Sequence, residues 1–98
     1  VRPLPPAVEV ALLRAAQESL ANVRKHADAR HASIRLRFDD EVHLLVEDDG
    51  RGFDPAQDAA DPGRYGLRGM RDRLATVDGR VLVDSRPGRG TRVEVAVP

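Results

Sequence analysis

The stretch Ile34-Arg35-Leu36-Arg37-Phe38-Asp39-Asp40-Glu41-Val42-His43-Leu44-Leu45-Val46-Glu47-Asp48-Asp49-Gly50-Arg51-Gly52 decides how the rest of the chain is read. Ile34, Leu36 and Phe38 alternate with Arg35 and Arg37, the period of two expected of a strand with one buried face. Asp39-Asp40-Glu41 is a polar turn and Val42 to Glu47 reads as a second strand, so the two form a hairpin. Upstream, Ala7 to about Ala27 contains neither Gly nor Pro and is dominated by Ala, Leu, Glu, Arg and Gln, which predicts a helix with Pro6 at its first position and Asp28-Ala29-Arg30 as its stop. Downstream, residues 53–65 have no periodicity and are rich in small and acidic side chains, as in a lid over a functional site. A second helix is predicted over Leu67–Val77, where Leu67, Met70, Leu74 and Val77 share a face, with Asp78-Gly79 ending it. Arg80–Ser85 and Thr91–Val97 read as two further strands joined by Arg86-Pro87-Gly88-Arg89-Gly90. The order helix, two strands, lid, helix, two strands predicts an α+β two-layer sandwich: a mostly antiparallel or mixed sheet covered on one face by both helices.

With 98 residues the chain has enough material for one domain, expected to span 1–98, and not for two. Sixteen Lys+Arg offset sixteen Asp+Glu, so the chain lacks the net positive field that coating nucleic acid or an anionic membrane requires. The absence of cysteine excludes a disulfide scaffold, Cys-ligated zinc and thiol catalysis. No apolar run approaches the roughly 20 residues of a membrane span and no signal-peptide pattern opens the chain, so a cytoplasmic location without direct membrane contact is expected.

Advancing ~100° per residue along the first helix, Leu13, Ala16, Leu20, Val23 and Ala27 fall within a sector ~80° wide, the expected core face. Glu18, Asn22 and Lys25 cluster on the opposite side within ~60° of one another. The hard oxygens of Asn and Glu suit Mg²⁺ directly or through its water, and a Lys offsets phosphate charge; a solvated polar helix face is the alternative. Asp48 closes a strand, and Gly50 and Gly52 follow it, where glycine allows positive φ and close approach of backbone to a ligand. A carboxylate there accepts from the exocyclic amine of adenine and rejects the carbonyl that guanine carries at the same place, although Asp-Gly turns are also generic. Gly66-Leu67-Arg68-Gly69-Met70 opens the second helix, where free N–H groups suit an anion. Gly88-Arg89-Gly90-Thr91 lacks the Lys-Ser/Thr of a Walker loop, and Pro55 stands where a dinucleotide fingerprint needs its third glycine.

Taken together, Glu18-x-x-x-Asn22, Asp48-x-Gly50-x-Gly52, Gly66-Leu67-x-Gly69-Met70 and Gly88-x-Gly90-Thr91, in this order around one lid, resemble the Bergerat-type ATP-binding domain of sensor histidine kinases, DNA gyrase, heat-shock chaperones and mismatch-repair ATPases. Pro5-Pro6, Gln17 to Asn22, Lys25-His26-Ala27, Gly63 to Met70 and Ser85 to Thr91 are most similar to two-component kinases of the nitrate/nitrite-sensor and degradation-regulator type, which signal to LuxR-type response regulators. The resemblance covers essentially the whole chain. Asp72-Arg73 and Asp78-Gly79 depart from the family's Glu-Arg and Gly-Gly. The short strand the family carries before its first helix is largely missing, as in an excised fragment.

The resemblance implies ATP and Mg²⁺ as ligands. By it, Asn22 ligates Mg²⁺ at the phosphates and Glu18 orients a metal-bound water or assists proton transfer. Lys25 touches phosphate. Asp48 binds the adenine amino group with Thr91 helping through water, and Gly50 and Gly52 let the nucleotide lie close. Gly66, Leu67 and Gly69 set the end of the lid and a helix N-terminus against the phosphates. The phosphoacceptor histidine of such kinases sits on a separate dimerising hairpin, the expected partner, so this domain alone is expected to be monomeric and to autophosphorylate little. His26 is expected to pack behind the phosphate site, His31 and His43 to be structural, and the three do not have zinc-site spacing. The rival readings are another Bergerat-type ATPase or anti-sigma serine kinase, and a non-catalytic docking module.

Overall fold

The computed structural model describes residues 3–54, 56 and 65–98. Helix α1 (Pro6–Asn22) starts where the sequence places it, because Pro6 needs no N–H partner in the first turn and the Pro5 carbonyl accepts from the backbone of Val8 and Glu9. The helical stretch changes geometry at its end. Val23–Ala27 forms a π-helical turn, stopped by Asp28 in the left-handed region at φ 49°. Strand β1 (Ala32–Phe38) turns through 39–41 into β2 (Val42–Asp48), with Phe38 opposite Val42. Helix α2 (Leu67–Ala75) follows, and β3 (Arg80–Ser85) and β4 (Thr91–Val97) make the second hairpin. The single four-stranded sheet has the order β1-β2-β4-β3 and is antiparallel throughout. Among the described residues, α1 and α2 lie on one face of it, α1 over β2 and β4 and α2 over β3, in contact with each other. This is the α+β two-layer sandwich expected from the element order.

The pairing of β2 with β4 puts Val46 opposite Val93 and Asp48 opposite Thr91. A hairpin-by-hairpin reading does not predict that juxtaposition, and it gathers a carboxylate and a hydroxyl at one end of the sheet. The core beneath is aliphatic. Leu67, Met70 and Leu74 of α2 meet Val42, Val95 and Val97 of the sheet, all fully buried. Each such side chain contributes roughly 1.5–3 kcal/mol through removal from water.

Three expectations are corrected. The core face of α1 is not centred on Leu13 and Leu20, which are exposed; Ala16 packs partly buried against the core, and the buried residues are Val8, Ala11, Leu12, Ala15 and Ser19. By helical geometry these five span an arc of ~100°, with Asn22 inside it and Glu18 ~20° beyond its edge, while Lys25 follows on the π turn. The polar trio therefore begins within the packed face instead of standing opposite to it. Small Ala11, Ala15 and Ser19 let α1 lie close against the sheet, a role that ranking side chains by apolarity misses. Secondly, Ile34 and Leu36 point to the helix side of the sheet yet are about half exposed, because β1 is the edge strand and α1 covers β2 and β4. Finally, α2 stops at Ala75 and not at Val77, with Asp78 in the left-handed region at φ 58°. Among the described residues no helix is long and apolar enough to cross a membrane.

Candidate functional site

The end of the sheet that carries Asp48 and Thr91 is the floor of a cleft. Ser19, Asn22 and Val23 of α1 and its π turn form one wall, and Val46, Asp48, Thr91 and Val93 the sheet side. Gly52, Phe53, Tyr65 and Leu67, at the two ends of segment 53–65, complete it. A mostly apolar hollow with a few convergent polar groups is the usual form of a small-molecule site.

Asp48 is held by its surroundings: its Oδ1 accepts the Gly50 N–H at 2.8 Å and the carboxylate also accepts the Thr91 backbone N–H. Burial dominates its titration and pushes its pKa up, partly opposed by those two bonds. Neighbouring Asp49 has the contrary environment. It accepts the N–H groups of Arg30 and His31 at 2.9 Å each and the His31 ring at 3.0 Å, which pull its pKa down to about 2. Asp49 thus pins the connection before β1, and His31 serves that anchor.

Gly52 has φ +63°, and a Cβ there would collide with the Arg86 carbonyl and come within 2.8 Å of the Gly90 carbonyl. The loop after β2 consequently lies directly on the β3–β4 turn, which no residue but glycine permits. Gly66, at φ +69°, begins α2 in the left-handed region, and a Cβ on it would collide with the Glu18 carboxylate. The missing side chain lets Glu18 reach the start of α2.

Across the cleft, Asn22 Nδ2 donates to the Tyr65 carbonyl at 2.7 Å. The rings of Tyr65 and Phe53 stack at a centroid distance of 4.1 Å and 18° between planes. Both rings are buried, and they leave about 20 Å³ of free space in the cleft, room for a water and not for a purine.

Five of the ten residues singled out from sequence line this one cleft: Asn22, Asp48, Gly52, Leu67 and Thr91. Glu18 and Gly66 meet beside it, and Gly50 fixes the Asp48 carboxylate. Lys25 is exposed on the π turn and does not line the cleft. Gly69 lies within α2, where a Cβ would approach nothing closer than Arg73 Nη1 at 3.4 Å, so no close contact within the chain demands glycine there. Most of the segment 53–65 that was read as a lid, and the ring of His26, lie outside the described residues. His43 stands on the sheet face away from the helices, its Nδ1 3.6 Å from Glu94 and without a hydrogen bond among the described residues.

The sequence reading missed Ser19 and the Phe53–Tyr65 pair. Ser19 sits three residues before Asn22, a spacing that marks a shared helix face. Its hydroxyl is buried with no hydrogen-bond partner among the described residues. Tyr65 carried no local signal, since its part depends on contact with a residue 43 positions away.

A two-layer sandwich with a cleft between its first helix and one end of the sheet, closed by the segment leading into the next helix, is the Bergerat-type fold. Residues 7–98 match the family described as histidine kinase-, DNA gyrase B-, and HSP90-like ATPase, and the chain belongs to that family. It is 35% identical over 95 residues to the signal transduction histidine-protein kinase/phosphatase DegS of Brevibacillus brevis, covering 96% of this chain and 24% of that protein. It is 41% identical over 96 residues to a sensor-like histidine kinase of Chloroflexus aurantiacus, covering 93% of this chain and 16% of that one. The chain thus spans about a quarter or less of these relatives. Among solved structures, the blue-light activated histidine kinase of Erythrobacter litoralis EL346 superposes with a TM-score of 0.80 at 25% identity, over 97% of this chain and 34% of that chain. The ATP binding domain of PrrB from Mycobacterium tuberculosis shares the fold, with a TM-score of 0.69 at 21% identity over 97% of this chain and 68% of that one.

Proposed function

We propose that this chain is the ATP-binding catalytic domain of a sensor histidine kinase, transferring the γ-phosphoryl group of ATP to a histidine on a separate dimerisation domain. The observation that carries this reading is the convergence of Asn22, Asp48 and Thr91, from three separate elements, on one cleft. The Asp48 carboxylate, immobilised by two backbone N–H groups, is an acceptor for the amino group of adenine. The apolar walls Val46, Leu67 and Val93 receive the faces of the base. With its Nδ2 engaged by Tyr65, the Asn22 side chain turns a hard amide oxygen toward ligand, and Glu18 supplies carboxylate oxygens nearby.

Among the described residues no group of three or more His, Asp or Glu could hold a metal by itself. Asn22, with Glu18 through water, fits Mg²⁺ that reaches the site together with phosphate oxygens; there it would neutralise phosphate charge. Lys25, exposed on the π turn that follows Asn22, would add positive charge on the solvent side. In the transfer, a bond forms between the acceptor imidazole nitrogen and the γ-phosphorus while the bond from that phosphorus to the β–γ bridging oxygen breaks, ADP leaves, and the proton lost by the imidazole passes to solvent with Glu18 assisting. Positioning and charge neutralisation account for most of such catalysis. Similarity to the signal transduction histidine-protein kinase/phosphatase DegS supports placement among the sensor histidine kinases. With that placement we propose the degradation-regulator and nitrate/nitrite-sensor type, a LuxR-type response regulator downstream and a cytoplasmic setting. Calorimetric titration with a non-hydrolysable ATP analogue, with and without Mg²⁺, tests the binding. Incubation with ATP and an acceptor hairpin from a sensor kinase, read as acid-labile phosphohistidine, tests the transfer. Mg²⁺-independent binding, or binding unchanged in Asp48→Asn and Asn22→Ala, overturns the site.

A further inference from the structure

Ser85, the last residue of β3, is buried and belongs to none of the groups assigned above. Its hydroxyl is nevertheless the centre of a three-way junction. Ser85 Oγ accepts the Phe53 N–H at 2.8 Å, donates to the Gly90 carbonyl at 3.1 Å and lies 2.8 Å from Thr91 Oγ1. A serine hydroxyl has one proton and two lone pairs. The Phe53 amide takes one lone pair. The Gly90 carbonyl, on a buried residue beside it, takes the proton, since a buried carbonyl left unmatched is costly. What remains for Thr91 is the second lone pair, so the Thr91 hydroxyl directs its only proton to Ser85.

That proton count sets what Thr91 presents to the cleft it lines. With its hydrogen committed backward, Oγ1 offers only lone pairs forward, beside the Asp48 carboxylate that stands opposite Thr91 in the β2–β4 register. We propose that Ser85 is a positioning residue that locks Thr91 as a hydrogen-bond acceptor, so that Asp48 and Thr91 together form a paired-acceptor site selective for the 6-amino purine over 6-oxo purines. An exocyclic amine brings N–H groups to that pair directly or through a water. Guanine and hypoxanthine bring a carbonyl oxygen and a protonated N1, which meet two acceptors with the wrong polarity at the first position. A site built to hydrogen-bond one group rejects the analogue that lacks it because its own polar atoms are left unmatched. The inference rests on the nucleotide-binding reading above and adds to it a specificity determinant outside the cleft lining.

The test is calorimetric titration of the chain and its variants with the non-hydrolysable triphosphate analogues of adenosine, guanosine and inosine, with folding checked by circular dichroism. The parent prefers adenosine. Ser85→Ala frees the Thr91 hydroxyl to rotate and donate, and the ratio of adenosine to inosine affinity falls on the order of tenfold, the scale of one hydrogen bond. Ser85→Thr, which keeps the hydroxyl, restores the ratio. Thr91→Val, which acts on the same pair without touching the Phe53 and Gly90 bonds, lowers the ratio to the same extent, and the Ser85→Ala/Thr91→Val double variant lowers it no further. An equal loss for all three bases in Ser85→Ala reveals a merely structural role and overturns the inference. So does an unchanged ratio in Thr91→Val. If the parent binds no nucleotide, the proposed function itself fails and takes this inference with it. If it binds all three bases alike, the function stands and the specificity argument alone is lost.

Discussion

Asn22 and Tyr65, 43 residues apart in the chain, are joined by a 2.7 Å hydrogen bond from the Asn22 amide to the Tyr65 carbonyl. Because a carbonyl can only accept, the bond orients the amide with its nitrogen toward Tyr65 and its oxygen toward the cleft. It also ties the end of α1 to the residue before Gly66, where α2 begins. Two jobs therefore meet in one side chain, and substitutions separate them. Asn22→Ala loses the tie, at about 0.5–1.5 kcal/mol, and Asn22→Asp sets a carboxylate oxygen against the Tyr65 carbonyl, at about 1–3 kcal/mol. Urea unfolding without nucleotide is expected to rank the parent above Asn22→Ala and Asn22→Asp lowest. If the aspartate variant unfolds with the parent, the tie does not form in solution.

Asp48 stands in a different balance. Burial raises its folded-state pKa above the ordinary 3.8, so the folded protein holds the proton more tightly than the unfolded chain does. Ionised Asp48 accordingly weakens the fold, and the loss develops as pH rises from the unfolded value through the folded one. Asp48→Asn removes that dependence. Its stability relative to the parent is expected to be higher at pH 7 than at pH 3, while affinity for the adenosine analogue drops by tenfold or more. Paired denaturation curves at the two pH values check the first part and calorimetry the second. A relative stability that is flat with pH contradicts the assigned cause.

The adjacent Asp49 has the reverse sign. Its pKa is depressed from 3.8 to about 2 by the His31 and Arg30 amides and the His31 ring. Its contribution is fully present above the ordinary carboxylate value and disappears as pH falls through about 2. Asp49→Asn is therefore expected to flatten the acid limb of the stability curve between about pH 4 and pH 2, with nucleotide affinity at pH 7 within a few-fold of the parent. Acid titration followed by circular dichroism reads this directly. An acid limb as steep in the variant as in the parent assigns the anchor to some other group.

Much of this arrangement was legible in the residues before any coordinates. The bounds of β3 and β4 follow from the Pro-Gly turn between them, and Asn22, Asp48 and Thr91 were picked out by the residues around them. What escaped depended on neighbours in space. The buried face of α1 runs through Ala11, Ala15 and Ser19 because closeness of approach, not apolar bulk, selects it. Ile34 and Leu36 carry the period of a buried strand face, but the position of β1 at the edge of the sheet leaves them half exposed, and strand order is a property of the whole chain. Ser85 needs the Gly52–Gly90 approach and the pairing of β3 with β4 before its hydroxyl can reach Phe53 and Thr91.

Ser19 separates stability from binding most cleanly. Its hydroxyl is buried in the middle of the packed face of α1, lines the cleft and has no hydrogen-bond partner among the described residues. Such a group costs about 1–3 kcal/mol when left unmatched, and alanine is also the better helix former by a few tenths of a kcal/mol. Ser19→Ala is therefore expected to stabilise the nucleotide-free protein by about 1–2 kcal/mol, which for a domain of this size raises Tm by roughly 4–8 °C per kcal/mol. Among the described residues nothing relieves the hydroxyl, so a molecule that enters the cleft supplies its partner. Adding the Mg²⁺-bound ATP analogue should then raise Tm less in Ser19→Ala than in the parent, because the parent alone gains a partner for that group. Thermal scans of both proteins with and without the analogue decide it: an alanine variant that is less stable than the parent when empty shows that the serine already has a partner.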